Sequence, residues 1–169
     1  MQHVKGPDFP TGGLLMGMSG LREAYEKGRG KVIVQGRWEV EKQPDGKRHI
    51  LISEVPYGTN KARMVAQMEA LRADKAVHGM LDARDESDRE GTRVVVELSK
   101  SANVDGVLGL LLKKTSLQVS FNFNMVAIHK KSPRCMGLKS ILEAYIEHQK
   151  EVVTRRSRFL LDTARNRLH

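Results

Sequence analysis

Three groups of basic residues are the clearest candidates for chemistry in this sequence. The first group, Lys27, Arg29 and Lys31, is interleaved with two glycines, which predicts a flexible basic turn able to approach another backbone closely. Side chains of this type bind phosphate groups without any base-reading geometry. An ordinary solvated turn is the alternative interpretation.

The second group, Asn60, Lys61 and Arg63, lies at the start of a predicted helix, where free amides and the helix dipole favour an anion. Ordinary helix capping by Asn60 is the alternative there. The third group, Arg155 and Arg156, belongs to the densest basic run of a long predicted helix. These arginines would either line the path of a polyanion or only solvate the helix, and the pattern does not rank the two.

No tyrosine lies in a setting that predicts a nucleophile. Tyr57 follows a proline in a turn, where packing or hydrogen bonding is expected, and Tyr145 lies on an apolar stripe that predicts a core position. We therefore assign no catalytic residue.

Acidic residues are concentrated between positions 82 and 90, and carboxylates at close spacing can bind Mg²⁺. Arg84, Arg89 and Arg93 interleave with these acids, so a solvated loop before a strand is the favoured interpretation. The histidines show no ligand spacing, and no glycine-rich phosphate loop is present. No metal site and no cofactor are predicted for this chain.

The composition describes a basic, globular protein. The chain has 169 residues, of which 40% are hydrophobic and 29% charged, enough for one domain with a core. Its formal net charge of +9 raises the local concentration of polyanions, of which nucleic acid is the commonest, although solubility alone is an alternative explanation. A single cysteine, no signal peptide and no long apolar run favour a cytoplasmic protein without a membrane span.

Periodicity predicts an α+β fold. Alternation from Lys31 to Lys42 predicts one half-buried strand, and a Pro-Asp-Gly turn leads to a second strand from His49 to Val55. Further elements complete a two-layer sandwich with helices on one face of a sheet. We predict helices at 21–27 and 104–113, and a helix capped by Thr59 or Asn60 that runs to about residue 73. We also predict a strand at 92–98 and one or two strands in 117–128, with a possible break at 122–124.

The last segment predicts a helix longer than a compact domain needs. Residues 138–168 contain neither proline nor glycine, and at 1.5 Å per residue they would extend for roughly 45 Å. Their broken apolar stripe requires a covering helix, so we expect a coiled coil whose second helix belongs to a larger protein. The predicted organisation is a connector at 1–20, an α+β domain at 21–134 and a long helix at 135–169.

Six ordered segments of the chain carry a family resemblance. They are GPDFPTGG (6–13), AYEKGRGKV (24–32), EVPYGTNKARMV (54–65), RDESDREGTRVVVEL (84–98), LQVSFNFNMVAI (117–128) and EVVTRRSRF (151–159). Together they resemble the A subunit of bacterial type IIA DNA topoisomerases, the family of DNA gyrase and topoisomerase IV. The form of the fifth segment resembles topoisomerase IV of Gram-positive bacteria more than gyrase.

The resemblance implies that the connector follows a winged-helix domain, that 21–134 is the tower subdomain, and that 135–169 begins the coiled coil. It implies a part that supports and contacts the arms of the gate DNA segment, with a purely structural spacer as the alternative. The expected DNA contacts are then the three basic groups described above.

The parent protein would be an ATP-dependent type II topoisomerase. In that family the cleaving tyrosine belongs to the winged-helix domain beside a basic residue, and no tyrosine here matches it, so this chain alone is expected to be inactive. The implied partners are double-stranded DNA, a B subunit that holds Mg²⁺ and ATP, and a second A subunit in an A₂B₂ tetramer. The implied location is cytoplasmic, at the nucleoid.

Overall fold

A computed structural model describes residues 2–168; Met1 and His169, the ends of the predicted connector and final helix, lie outside the described residues. The described chain forms two compact units. The first, here called the sheet unit, comprises residues 2–18 and 32–121, and the second, the helix unit, comprises 19–31 and 122–168. The elements are β1 (Leu14–Met16), α1 (Ser19–Lys27), β2 (Arg29–Gln35), β3 (Arg37–Lys42), β4 (Arg48–Glu54), α2 (Lys61–Ala73), β5 (Met80–Asp85), β6 (Val94–Leu98), α3 (Val104–Lys114), β7 (Gln118–Asn124), β8 (Val126–His129), β9 (Ser132–Cys135) and α4 (Leu138–Leu168).

The core of the sheet unit lies between an antiparallel sheet of order β3-β4-β6-β5 and the helices α2 and α3. Alternate residues of paired strands point to the same side, so the register of Ile50 with Val96 and of Ile52 with Val94 builds one apolar face. Met64 of α2 with Leu108 and Leu111 of α3 closes the same cluster. The predicted α+β class, with a helical layer on a sheet, is confirmed.

Local sequence explains where the helices begin and end. The side chain of Asn60 accepts a hydrogen bond from the Arg63 amide at 3.0 Å and caps α2, as predicted. At the other end, Lys75 has a φ of +54°, and its amide donates to Arg72 while the Ala76 amide donates to Leu71. This is a Schellman termination with lysine in the place that glycine usually holds.

The prediction of one strand from Lys31 to Lys42 is wrong. The segment is divided at Gly36 into β2, which lies in the sheet β1-β2-β7, and β3, which lies at the edge of the four-stranded sheet. The Gly36 amide donates to the Leu117 carbonyl at 2.9 Å, and a Cβ at this glycine would lie 2.6 Å from the Glu54 carbonyl oxygen. A close backbone approach therefore ends one strand and redirects the chain into the next.

Three strands were absent from the prediction, and the first of them, β1, lies within the predicted connector at 1–20. Residues 80–85, which include part of the predicted acidic loop, form β5, whose Ala83 pairs with Val96 and is buried. Strand β9 follows a two-residue turn after β8, and all four of its residues are exposed. The predicted break at 122–124 falls instead at Met125, between β7 and β8.

The helix unit contains the long final helix. Helix α4 spans Leu138–Leu168, as predicted, and none of its described residues is buried. No helix within residues 2–168 is both long and apolar enough to cross a membrane. The predicted domain boundaries at residues 20 and 134 stay a prediction.

Candidate functional site

The first basic group is not the flexible turn that its glycines suggested. Lys27 ends α1, Gly28 terminates the helix with a φ of +80°, and Arg29 and Lys31 already belong to β2. A Cβ at Gly30 would lie 2.3 Å from the Gly20 carbonyl oxygen. The glycines therefore serve close backbone packing within the helix unit, and the basic residues are held by an ordered strand.

The side chains of this group differ in their availability. The Lys27 ammonium lies 3.0 Å from a Glu23 carboxylate oxygen one helical turn earlier. Arg29 and Lys31 are exposed, share one side of β2 because the single residue Gly30 separates them, and form no ion pair with a described residue. Both cations can therefore meet an external phosphate without first breaking an internal pair.

At the second group, ordinary capping is observed, since Asn60 accepts from the Arg63 amide. The Lys61 ammonium lies 3.6 Å from a carboxylate oxygen of Asp85. Hydrogen bonds from the Ser87 hydroxyl and amide, with a smaller contribution from Lys61, hold the pKa of Asp85 below its usual value. The Arg63 side chain is exposed and, among the described residues, has no ionic partner.

The third group lies on the exposed surface of α4. Arg155 is paired with Glu151 at 3.1 Å through the i, i+4 spacing of the helix, whereas Arg156 forms no ion pair with a described residue. The helix unit thus holds the first and third groups, and the sheet unit holds the second. The assignment of all eight residues to DNA contact stays a prediction.

The acidic segment forms an ion-pair network. The Arg84 guanidinium contacts Asp82 at 2.9 Å, Glu86 at 2.7 Å and Glu97 at 3.4 Å, and Arg93 contacts Glu86 at 3.2 Å. Arg84 first, and Arg93 second, lower the pKa of Glu86. Across residues 2–168, no three carboxylate, histidine or cysteine side chains are grouped so as to hold a metal ion.

The tyrosines occupy packing positions or open surface. Tyr57 stacks on Phe9 with ring centroids 5.6 Å apart and meets Phe121 edge-on at 6.2 Å, which agrees with its predicted packing role. The prediction that Tyr145 is a core residue is wrong, because 57% of this residue on α4 is exposed. Tyr25 is half-buried, and burial raises the pKa of its hydroxyl.

One basic site was missed in the sequence. Lys130 and Lys131 form the turn between β8 and β9, and both have a positive φ. The signal was the run HKKSPR at 129–134, which has three lysine or arginine residues and no acid. It was overlooked because β9 was not predicted, so the lysines were not placed in a hairpin turn.

Comparison with known proteins identifies similar sequences along the whole chain. A family model for the A subunit of DNA gyrase/topoisomerase IV matches residues 1–169. The A subunit of DNA topoisomerase 4 from Bacillus subtilis (strain 168) is 52% identical over 169 residues, which is 100% of this chain and 21% of the relative. The A subunit of DNA topoisomerase 4 from Staphylococcus epidermidis (strain ATCC 12228 / FDA PCI 1200) is 47% identical, with the same coverage of both chains. The A subunit of DNA topoisomerase 4 from Streptococcus pneumoniae serotype 4 (strain ATCC BAA-334 / TIGR4) is 46% identical over 100% of this chain and 20% of the relative. The chain therefore spans about a fifth of the length of these curated relatives.

Proposed function

The chain belongs to the family of DNA gyrase/topoisomerase IV A subunits, and from this we propose that it binds duplex DNA through phosphate contacts, supporting the arms of the DNA segment that a type II topoisomerase opens. The proposed contacts are sequence-tolerant, because lysine and arginine side chains bind the phosphate backbone without reading base edges. The net charge of +9 favours such an encounter.

The observation that carries the proposal is the state of Arg29 and Lys31. Both are exposed on one side of an ordered strand, and neither is neutralised by an acid among the described residues. A cation carried on an ordered backbone loses less conformational freedom on binding than one on a flexible turn. The packing around Gly30 therefore supports phosphate binding better than the flexible turn expected from the sequence.

The activity of the whole protein is part of the same proposal. We propose an ATP-dependent type II topoisomerase in which the chain works with a B subunit, which holds Mg²⁺ and ATP, and a second A subunit in an A₂B₂ tetramer. Its location would be cytoplasmic, at the nucleoid. The relatives, which are named as A subunits of topoisomerase 4, support this assignment and favour topoisomerase IV over gyrase.

The tyrosines support the further proposal that this chain by itself does not cleave DNA. Tyr57 is engaged with two phenylalanines, and Tyr145 lies on the exposed surface of α4. The cleaving tyrosine would then be supplied by another part of the parent protein.

A salt titration of duplex binding tests the proposal. Each phosphate contact contributes a slope of about −0.9 to the plot of log association constant against log salt. Replacing Arg29 and Lys31 by glutamine should therefore make the slope about 1.8 less negative. The matched control is Lys113→Gln with Lys114→Gln, which removes the same charge at the exposed end of α3. A slope near zero for the unchanged chain would refute DNA binding.

The alternative of a structural spacer without DNA contact is favoured by one observation. Three of the eight predicted residues, Lys27, Lys61 and Arg155, are already paired with acids. Under this alternative the basic charge serves solubility, and the unchanged chain and both glutamine double variants would all show a slope near zero.

A further inference from the structure

The hairpin formed by β8 and β9 carries a turn of unusual composition. His129 pairs with Ser132, so Lys130 and Lys131 are the two residues of the loop. Their φ angles are +48° and +63°. Positive φ at both central positions is what a type I′ turn requires, and this turn type matches the twist of the strands that it joins.

Lysine is a poor residue for this backbone conformation. With an L side chain, positive φ brings the Cβ close to the backbone carbonyl oxygen, so two-residue hairpin loops of this type favour Asn-Gly. Here two consecutive long, charged side chains occupy those positions. Residues held in sparsely populated backbone regions cluster at binding sites, which makes the pair a candidate for function.

The hairpin itself carries no acid that could compensate its basic residues. The run 129–134 has Lys130, Lys131 and Arg134 and no acidic residue. Neither turn lysine forms an ion pair with a described residue, and every residue of β9 is exposed. A surface turn that only needed solubility could use residues that its geometry favours.

The turn also forms one wall of a groove within the helix unit. This groove has a volume of about 810 Å³ and lies between the hairpin and residues 141–155 of α4. The helix wall carries Arg155 and the acids Glu147 and Glu151, and Glu151 pairs with Arg155. With two acids against one arginine, the helix wall is net acidic, so the positive charge of the groove comes from the two turn lysines.

We propose that the hairpin turn is a second phosphate-contact site, in which Lys130 and Lys131 hold the backbone of duplex DNA. This inference rests on the proposed DNA-binding function and adds contacts that lie apart in sequence from Arg29 and Lys31. Because a duplex carries one phosphate for roughly every 1.7 Å of its axis, two adjacent cations on a short turn can each meet a phosphate of one tract. The strained backbone holds both ammonium groups at the same end of the hairpin.

The test separates charge from turn geometry. Replacing Lys130 by asparagine and Lys131 by glycine installs the residues that this turn favours, so the hairpin is retained while two charges are removed. Binding of the whole chain to a short mixed-sequence duplex is measured over a range of salt concentrations. We expect the slope to become about 1.8 less negative, which corresponds to a roughly sixty-fold lower association constant at 0.1 M salt if binding at 1 M is unchanged.

The matched control is again Lys113→Gln with Lys114→Gln, which removes two exposed lysines from the sheet unit and should leave the slope nearly unchanged. A second variant, Lys130→Arg with Lys131→Arg, keeps both charges and should bind as the unchanged chain does. Equal slopes for the Asn-Gly variant and the α3 control would overturn the hairpin site. If the unchanged chain itself shows no salt-dependent binding, the proposed function fails first and the hairpin site fails with it.

Discussion

Replacing Gly30 by alanine tests whether the first basic group stands on a rigid support. A Cβ at this position would lie 2.3 Å from the Gly20 carbonyl oxygen, 2.7 Å from the Ala24 amide nitrogen and 2.9 Å from the Ala24 Cβ. Two of these atoms are backbone and the third is fixed directly to the backbone of α1. No rotation of a side chain can relieve such contacts, so the helix or the strand has to move.

The size of the effect follows from this crowding. Overpacking a well-packed site usually costs about 1–3 kcal/mol, and backbone contacts this short place Gly30→Ala near the upper end, at about 3 kcal/mol. With a urea m-value of about 2 kcal/mol per molar, the unfolding midpoint should fall by about 1.5 M. A flexible turn would give the opposite result, since Gly→Ala at an unstrained site stabilises by about 0.4–1 kcal/mol.

The assay is urea unfolding of both variants followed by far-ultraviolet circular dichroism. The matched control is Gly109→Ala. A Cβ at this position meets nothing within 4 Å, and the residue lies in the middle of α3 on its exposed face. This control should raise stability by about 0.5–1 kcal/mol through helix propensity. An unchanged or higher urea midpoint for Gly30→Ala would contradict the close approach of α1 and β2 at Gly30.

Three further predictions concern stability. Lys75→Gly should raise the free energy of unfolding by about 1 kcal/mol, because it relieves the positive φ at the end of α2, and a lower urea midpoint would contradict the Schellman assignment. Leu111→Ala should lower it by about 2–5 kcal/mol, since this side chain is fully buried in the core, whereas Leu110→Ala on the exposed face of α3 should cost far less. The hydrogen bond from Lys47 holds the pKa of Glu97 in the folded protein below its usual value. The contribution of Glu97 to folding stability is therefore fully present above its unfolded pKa of about 4.3 and is lost as the pH falls through its folded pKa. Glu97→Gln should make the free energy of unfolding depend less on pH below about pH 5. If the pH dependence in that range is unchanged, the Lys47–Glu97 pair does not contribute to it.

Elements governed by local signals were predictable. The cap at Asn60, the end of α1 before Gly28 and the uninterrupted helix from Leu138 each depend on residues within a few positions. The turn at 43–46 is of the same kind, with the Gly46 amide donating to the Gln43 carbonyl at 2.9 Å. The physical reason is that helix termination and tight turns are decided by φ preferences and by hydrogen bonds between near neighbours.

Elements defined by distant partners were not predictable. The alternation from Lys31 to Lys42 continues without interruption through Gly36, yet contacts with Leu117 and Glu54 divide it between two sheets. Strand β5 was missed because the acids and arginine in its sequence suggested a loop. Its strand conformation depends on pairing with β6, which also brings Arg84 to Glu97.

The sequence by itself determined the family resemblance, the excess of basic charge and the long final helix, because these depend on composition, ordered motifs and short-range periodicity. Tertiary structure decided which cations are available and which are engaged. It pairs Lys61 with Asp85, leaves Arg29 and Lys31 exposed on an ordered strand, and places Lys130 and Lys131 in a hairpin turn. A charge belongs to its residue, but its neutralisation depends on which distant residues the fold brings within a few ångströms.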